Sequence, residues 1–282
     1  DWIYGIHEWT GSGFQQLPGL DGAVRMCEDS QARVWALGEY FNLHYYGETG
    51  WTSVPIVGWG AKIEKDPTRP GTVWATTGSE LLRTDGVYSF SRTIDDFPEL
   101  TSYSDAFSGL AAASDGIAWI GATVQLGGGG TGGALIRLDA TTGTYQMLRH
   151  DQGWPLPGQV VQPLTVTPDG RVWMQYASEF PSTDAGLCWY DGVNVGTFPA
   201  PPGGEPQWGG LPHAAIDDLE VREIPGGYEL WMSCLSRGIA VLTVQGSTTA
   251  VPAGNVSAAR LLLAQNEPNP FGPETLIRYT LD

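Results

Sequence analysis

The sequence predicts an all-β fold, a β-propeller of six blades with four antiparallel strands each, with seven blades as the alternative. Three observations lead to this prediction. The 282 residues include 39 Gly and 20 Pro, which disfavour helices because Gly loses backbone entropy and Pro lacks an N–H donor. The 12 Trp and 11 Tyr favour strands. A short unit also recurs along the chain, as expected for blades that bury their faces only when they stack.

The recurring unit is a turn with Asp or Gly, followed by an apolar residue and a Trp that opens a strand. Its best copy reads PDGRVW at 168–173 and continues as GLCWYDG at 186–192. We predict equivalent core positions for the repeat tryptophans, which are Trp2, Trp35, Trp74, Trp119, Trp173 and Trp231. They stand roughly 35 to 60 residues apart, near the length of a blade. The first blade then lacks its innermost strand, so we expect a C-terminal segment to supply it.

The order Asp-Gly-x-x-Trp, Gly-Leu and Tyr-Asp-Gly in this best copy resembles the propeller repeat in the sensor domains of two-component regulators. The resemblance covers residues 1–248 and implies the propeller fold. It implies no activity, because one fold hosts many functions. Residues 249–260 then read as a linker, and residues 261–282 as a separate C-terminal extension.

The C-terminal extension carries the most specific motif of the chain. It resembles the opening of the C-terminal sorting domain on proteins that Bacteroidetes-like bacteria export by the type IX route. The matching residues are Gln265, Asn266, Pro268, Asn269, Pro270, Phe271, Pro273, Thr275, Ile277 and Tyr279. Gly272 stands where the family usually has Asn, and the match covers only the beginning of such a domain. The resemblance implies export across the outer membrane, so we expect a secreted or cell-surface protein.

The charge balance excludes two classes of partner. Acidic residues outnumber basic ones by 31 to 14, which gives a formal net charge of −17. A field of that sign repels phosphate backbones, so we expect no nucleic-acid partner. The sequence offers no basic patch for anionic lipid and no apolar stretch long enough for a membrane-spanning helix. We therefore expect no membrane insertion.

The residue types that usually carry chemistry are scattered along the chain. The four histidines contain no pair at metal-ligand spacing, and no serine-nucleophile motif occurs. We predict no catalytic residue, no metal and no cofactor; His150 and His213 are the least implausible candidates if a His acts at the propeller axis. Three cysteines allow at most one disulfide within the chain, and Cys188 with Cys234 is the candidate pair. Three buried free thiols are the alternative.

Together these observations indicate a secreted, non-enzymatic propeller that acts as a structural or protein-binding module at the cell surface. The expected partner is another protein, copies of this chain included, or a glycan. The candidate strand for self-assembly consists of Thr275, Leu276, Ile277, Arg278, Tyr279, Thr280 and Leu281. Donation of such a strand to the sheet edge of another copy would build an extracellular filament. The competing hypothesis is a propeller enzyme, a lyase or glycan hydrolase with an axial cleft.

Overall fold

A computed structural model describes residues 6–17, 20, 23, 25–38, 40–100, 107–125, 131–178, 185–200, 210–235, 237–245, 261–263 and 279–281. The chain divides into two compact units, residues 1–154 and 155–282. Strands dominate both units, and the described helical structure is one short 3₁₀ helix, Ile94–Asp96. No described helix has the length and apolarity needed to cross a membrane.

The first unit consists of a two-stranded hairpin and three four-stranded antiparallel sheets. The hairpin pairs β1 (Ile6–Trp9) with β2 (Phe14–Leu17). The first two sheets are formed by β3 (Arg25–Glu28), β4 (Val34–Leu37), β5 (Tyr40–Gly47), β6 (Gly50–Lys65), β7 (Val73–Thr77), β8 (Glu80–Thr84) and β9 (Ser89–Thr93). The third sheet is formed by β10 (Phe107–Ala112), β11 (Ile117–Gln125), β12 (Thr131–Asp139) and β13 (Tyr145–Arg149). Sequential strands pair in each sheet, which is the arrangement of a propeller blade.

One strand, β6, belongs to two sheets. Its first part pairs with β5 and its last part pairs with β7. Gly58, two residues before β6 changes partner, has a φ of +100°, which favours glycine. Side chains of the second sheet hold the neighbouring backbone, because the Thr77 hydroxyl donates to the Val57 carbonyl and the Val57 amide donates to Glu80 Oε2 at 2.6 Å.

Apolar cores shared by neighbouring sheets hold the first unit together. The core of the first and second sheets contains Trp35, Leu37, Leu43, Val54, Ile56, Ile63, Val73, Ala75 and Leu82. The core of the second and third sheets includes Trp74, Leu81, Phe97, Phe107, Leu110, Ile120, Ile136 and Leu138. The middle strand β7 is buried throughout because cores cover both of its faces. The outermost strand β9 of the same sheet stays partly exposed along its length.

The second unit contains two larger sheets and a short strand pair. The first sheet comprises β14 (Val160–Val166), β15 (Val172–Ala177), β16 (Ala185–Tyr190) and β17 (Val195–Pro199). The second comprises β18 (Ile216–Ile224), β19 (Gly227–Cys234) and β20 (Gly238–Gln245). The short pair is β21 (Leu261–Leu263) with β22 (Tyr279–Leu281), and β22 lies beside β20. Side chains from both larger sheets, Trp173 and Leu230 among them, form one apolar core.

The described blade sheets number five, three in the first unit and two in the second, so the prediction of six blades is wrong, as is the alternative of seven. The difference lies at the N-terminus, where the sequence pattern predicts a blade that begins at Trp2. Trp2 lies outside the described residues, and the region that follows forms only the hairpin β1–β2, paired with no other described strand. Two four-residue strands, on which Ile6 is the one buried side chain, present too small an apolar face to act as a blade.

Candidate interaction surface

The repeat tryptophans that the structure describes stand in the second strand of their sheets. These strands are β4, β7, β11, β15 and β19, which carry Trp35, Trp74, Trp119, Trp173 and Trp231. The first four are buried, whereas Trp231 is half-buried. A buried ring inside a sheet cannot meet a ligand from solution, so the four buried tryptophans serve the core and not a binding surface.

Buried acidic groups complete the packing around two of these rings. Asp29 accepts a hydrogen bond from Trp35 Nε1 at 2.8 Å. In the next sheet, the Arg83 guanidinium lies over the Trp74 ring, 5.0 Å from its centroid, and Arg83 Nε donates to Asp66 Oδ2 at 2.5 Å. These charged groups are engaged inside the protein, which indicates a structural role for them.

The two histidines singled out from the sequence make local contacts in separate units. The His150 ring lies 6.2 Å from the Trp154 ring, measured between centroids. His213 Nδ1 accepts a hydrogen bond from the Ala215 amide at 3.0 Å. Within the described part of the chain, no three His, Cys, Asp or Glu side chains form a group that could hold a metal ion.

The two cysteines of the candidate bridge are free thiols in the structure. Cys188 and Cys234 are both buried, and Cys234 belongs to the apolar core of the second unit. Burial raises the pKa of Cys188 to about 12 and that of Cys234 to about 11. Such thiols stay protonated at neutral pH and are weak nucleophiles. The structure therefore does not pair Cys188 with Cys234, and the third free thiol, Cys27, is half-buried.

The candidate assembly strand is described only at its end. Residues 275–278 lie outside the described residues, and Tyr279–Leu281 form β22. This strand pairs with β21 and lies beside β20 of the same chain. The described part of the segment is thus engaged within its own molecule.

A surface at the outer strand of the second sheet, exposed at its turn and half-buried at Phe90 and Arg92, brings aromatic and arginine side chains together. The turn between β8 and β9 presents Val87, 94% exposed, and Tyr88, 51% exposed. The guanidinium carbon of Arg69 lies 5.5 Å from the centroid of the Tyr88 ring, and that of Arg92 lies 4.8 Å from the centroid of the Phe90 ring. Tyr88, Phe90 and Arg92 share one face because side chains alternate along a strand. We call these five residues the arginine–aromatic strip.

The turn that carries Val87 and Tyr88 is fixed by its own sequence. Asp85 Oδ1 accepts hydrogen bonds from the amides of Val87, at 2.8 Å, and Tyr88, at 2.7 Å. The bond from the Val87 amide, with help from the one from Tyr88, lowers the pKa of Asp85, so this carboxylate remains ionised in the turn. Gly86, the first of the two central residues of the hairpin turn, has a φ of +97°. Tight two-residue hairpin turns need a positive φ at this position, which glycine adopts readily. The exposed Val87 is therefore held in place, and its exposure does not come from a loose loop.

The second unit contains the same turn without the strip. Asp191 Oδ1 accepts from the amides of Val193 and Asn194, Gly192 has a φ of +98°, and Val193 is 83% exposed. Asn194 stands where the first turn has Tyr88, so this turn lacks an aromatic ring beside its exposed Val. It provides a matched control for substitutions in the strip.

The strip presents positive charge on an acidic protein. Arg69 and Arg92 form no ion pair with a carboxylate of the described residues; Arg92 Nη1 donates only to the Ser91 carbonyl, at 3.4 Å. A guanidinium stacked on a ring keeps its N–H groups at its edge, where they can meet a carboxylate in the bidentate geometry. The strip can therefore bind an acidic group and an apolar group side by side.

We expect Gly86→Ala to lower the free energy of unfolding by about 2–5 kcal/mol. The positive φ costs an L-residue about 1–2 kcal/mol, and overpacking adds about 1–3 kcal/mol because the new Cβ would lie 2.7 Å from Tyr45 Cε1. Gly192→Ala is the matched control, since nothing lies within 4 Å of the position that its new Cβ would take. It should cost only the backbone strain of a positive φ, about 1–2 kcal/mol. Urea denaturation measures both changes, and equal losses would contradict the role of the Tyr45 contact.

Comparisons with known proteins identify the fold. No protein-family model and no curated protein sequence matches the chain. Among solved structures, the extracellular domain of a hybrid two-component system from B. thetaiotaomicron is 15% identical with a TM-score of 0.50, and the match covers 86% of this chain and 33% of that one. The structure of YCF48 bound to D1 peptide is 15% identical with a TM-score of 0.43, covering 76% and 61%. A second extracellular domain of this type from B. thetaiotaomicron is 15% identical with a TM-score of 0.42, covering 76% and 26%.

These matches bear on the fold alone. This chain spans about a third of the length of the first structure. Its likeness to that structure, together with the five blade sheets, shows that the chain has the fold of a β-propeller.

Proposed function

We propose that this chain is a secreted protein-binding module that captures its partner on the arginine–aromatic strip. The observation that carries the proposal is the exposure of Val87 and Tyr88 with Arg69 over the Tyr88 ring, and with Arg92 over Phe90 further along the same strand; neither arginine has a described carboxylate partner. Tyr and Arg are the residue types enriched at the energetic centres of protein interfaces. An exposed apolar residue next to them supplies area that gains free energy when a partner covers it.

The rigidity of the strip supports the same proposal. Asp85 and Gly86 fix the turn, and the rest of the strip lies on or beside a hydrogen-bonded strand of a sheet. Side chains that are already ordered lose little entropy when a partner binds, which raises affinity for a given area. A surface of this kind suits recognition of a protein or peptide, because it presents exposed aromatic, apolar and cationic side chains together.

Secretion is supported by the likeness of residues 265–279 to the opening of a type IX sorting domain. The net charge of −17 suits a protein that stays soluble outside the cell. The solved structure with a similar fold is itself an extracellular domain. Filament assembly through the C-terminal strand has less support, because β22 lies beside β20 of its own chain. We therefore propose the single chain, and not a filament, as the functional unit.

The proposal is tested by panning a random-peptide display library against the immobilised full chain and then titrating the recovered peptides. Tyr88→Ser should weaken their binding by about 10- to 30-fold, as expected for loss of a central interface residue. Val193→Ser, in the equivalent turn of the second unit, should leave binding unchanged. If no peptide is recovered, or if both variants bind alike, the strip is not a protein-binding surface.

A further inference from the structure

We infer that the partner segment is an extended peptide with two carboxylates four residues apart on one face, which adds as a fifth strand to the free edge of β9. The inference rests on the proposed function and deepens it by naming the chemistry of the partner. It starts from the position of β9, which is the outermost strand of the second sheet. Among the described strands, β9 pairs with β8 alone.

The hairpin geometry shows which backbone groups point to that free edge. The Asp85 amide donates to the Tyr88 carbonyl at 3.3 Å, so these two residues form the hydrogen-bonded pair that closes the hairpin. Because hydrogen-bonded and non-hydrogen-bonded pairs alternate in an antiparallel ladder, Ser89, Ser91 and Thr93 turn their backbone groups away from β8.

Two contacts agree with this assignment. The Thr93 amide donates to the carboxylate of Asp96 at 2.8 Å, and the Ser91 carbonyl accepts from the Arg92 side chain at 3.4 Å. Both backbone groups are therefore turned away from β8. The edge formed by Ser89 and Ser91 can then pair with an incoming strand, as in other cases of strand addition.

The side chains of the strip specify the incoming residues. Tyr88, Phe90 and Arg92 occupy successive positions on one face, so Tyr88 and Arg92 are about 13 Å apart along the strand. Arg69 is stacked on Tyr88 at one end, and Arg92 marks the other. A fifth strand with acidic residues four positions apart would place one carboxylate at each guanidinium. An apolar residue midway between them would meet the exposed part of the Phe90 ring, which is half-buried because it also packs against Trp74, 6.2 Å away between centroids.

The charge of the protein makes this site selective. The net charge of −17 repels acidic peptides from most of the surface, while Arg69 and Arg92 attract them locally. Asp85, the acidic residue of the neighbouring turn, directs its Oδ1 to the turn amides. The pairing of backbone groups and of charges together distinguishes the proposed partner from a peptide that only covers apolar surface.

The test uses a labelled nine-residue peptide, Thr-Thr-Glu-Thr-Val-Thr-Glu-Thr-Thr, titrated into the full chain and followed by fluorescence anisotropy. Two matched peptides accompany it: one with Gln at both Glu positions, and one with N-methyl groups on alternate backbone amides, which blocks strand pairing. We expect each change to weaken binding at least about 10-fold, the scale of a charge-assisted hydrogen bond. Arg92→Gln should reduce the preference for Glu over Gln, whereas Val193→Ser should not.

The outcomes separate this inference from the proposed function. The inference is overturned if the Gln peptide or the N-methylated peptide binds as tightly as the Glu peptide. The proposed function still stands in that case if the library peptides require Tyr88 for binding. If no nine-residue peptide binds and Arg92→Gln makes the chain self-associate, Arg92 serves only to protect the sheet edge, and the inference is overturned. If library peptides also fail to bind, the proposed function falls with it.

Discussion

Trp173→Ala is expected to lower the free energy of unfolding by about 3–5 kcal/mol, the range for removal of a large core side chain. Trp173 is 1% exposed and belongs to the apolar core shared by the two larger sheets of the second unit. Its ring stacks on that of Phe198, with centroids 5.7 Å apart. Alanine would leave a cavity that rigid neighbouring strands fill poorly. Equilibrium unfolding in urea, followed by circular dichroism, measures the loss.

Two further variants serve as controls for Trp173→Ala. Trp231→Ala, at the half-buried repeat position whose indole N–H donates to Glu229, should lose only about 1–2 kcal/mol. Trp173→Phe should lose less than Trp173→Ala, because Phe refills part of the cavity and removes an indole N–H that has no partner in the described structure. A loss below about 1 kcal/mol for Trp173→Ala would show that the position is not core.

Removal of one partner of the Arg83–Asp66 ion pair should cost about 3–5 kcal/mol. The two side chains are 4% and 1% exposed, and Arg83 Nε lies 2.5 Å from Asp66 Oδ2. Thr68 completes the network, since its hydroxyl donates to Asp66 at 2.7 Å and accepts from Arg83 at 2.6 Å. Either Arg83→Met or Asp66→Ala leaves a buried charge without its counter-ion. The cost therefore comes from the desolvated residual charge and not from the lost attraction alone.

An exposed pair serves as the control for this second prediction. Arg222 Nη1 lies 3.8 Å from Glu229 Oε2, and the arginine side chain is 67% exposed. Arg222→Ala should change stability by less than about 1 kcal/mol, because water screens the pair. The double variant with Arg83→Met and Asp66→Leu should be more stable than either single variant. Thermal and urea denaturation measure these changes in stability. If Arg83→Met or Asp66→Ala loses no more stability than Arg222→Ala, the prediction for the buried pair is wrong.

The positions of individual strands and turns could be predicted from the sequence. The short apolar segments GALIRLD at 133–139 and TYQML at 144–148 flank the turn residues at 140–143, which is typical of strands, and the structure has β12 and β13 there. The tryptophans of the Asp-Gly-x-x-Trp unit fall on second strands for the same reason, since turn residues and the period of two are local signals. The number of blades depends instead on whether a segment pairs with distant strands. The N-terminal hairpin looks like part of a blade until its pairing is known.

The arginine–aromatic strip could not be derived in the same way. The segment TDGVYSFSR at 84–92 predicts a turn followed by a strand, and Tyr88, Phe90 and Arg92 at alternate positions are a visible signal. Arg69, however, comes from the turn before β7 and meets Tyr88 only in the folded sheet. Whether an arginine has a carboxylate partner is likewise a property of tertiary structure. The same applies to Cys188 and Cys234, because sequence spacing does not say which face of a sheet each thiol occupies.

The shared strand β6 also constrains how this chain can vary in length. Loops between sheets usually absorb inserted or deleted residues. Residues 50–65 form one continuous strand, so the first and second blades have no loop between them. One added residue there would shift a register by one and turn a set of apolar side chains from core to solvent. We expect homologous chains to keep this junction at constant length while the other junctions vary.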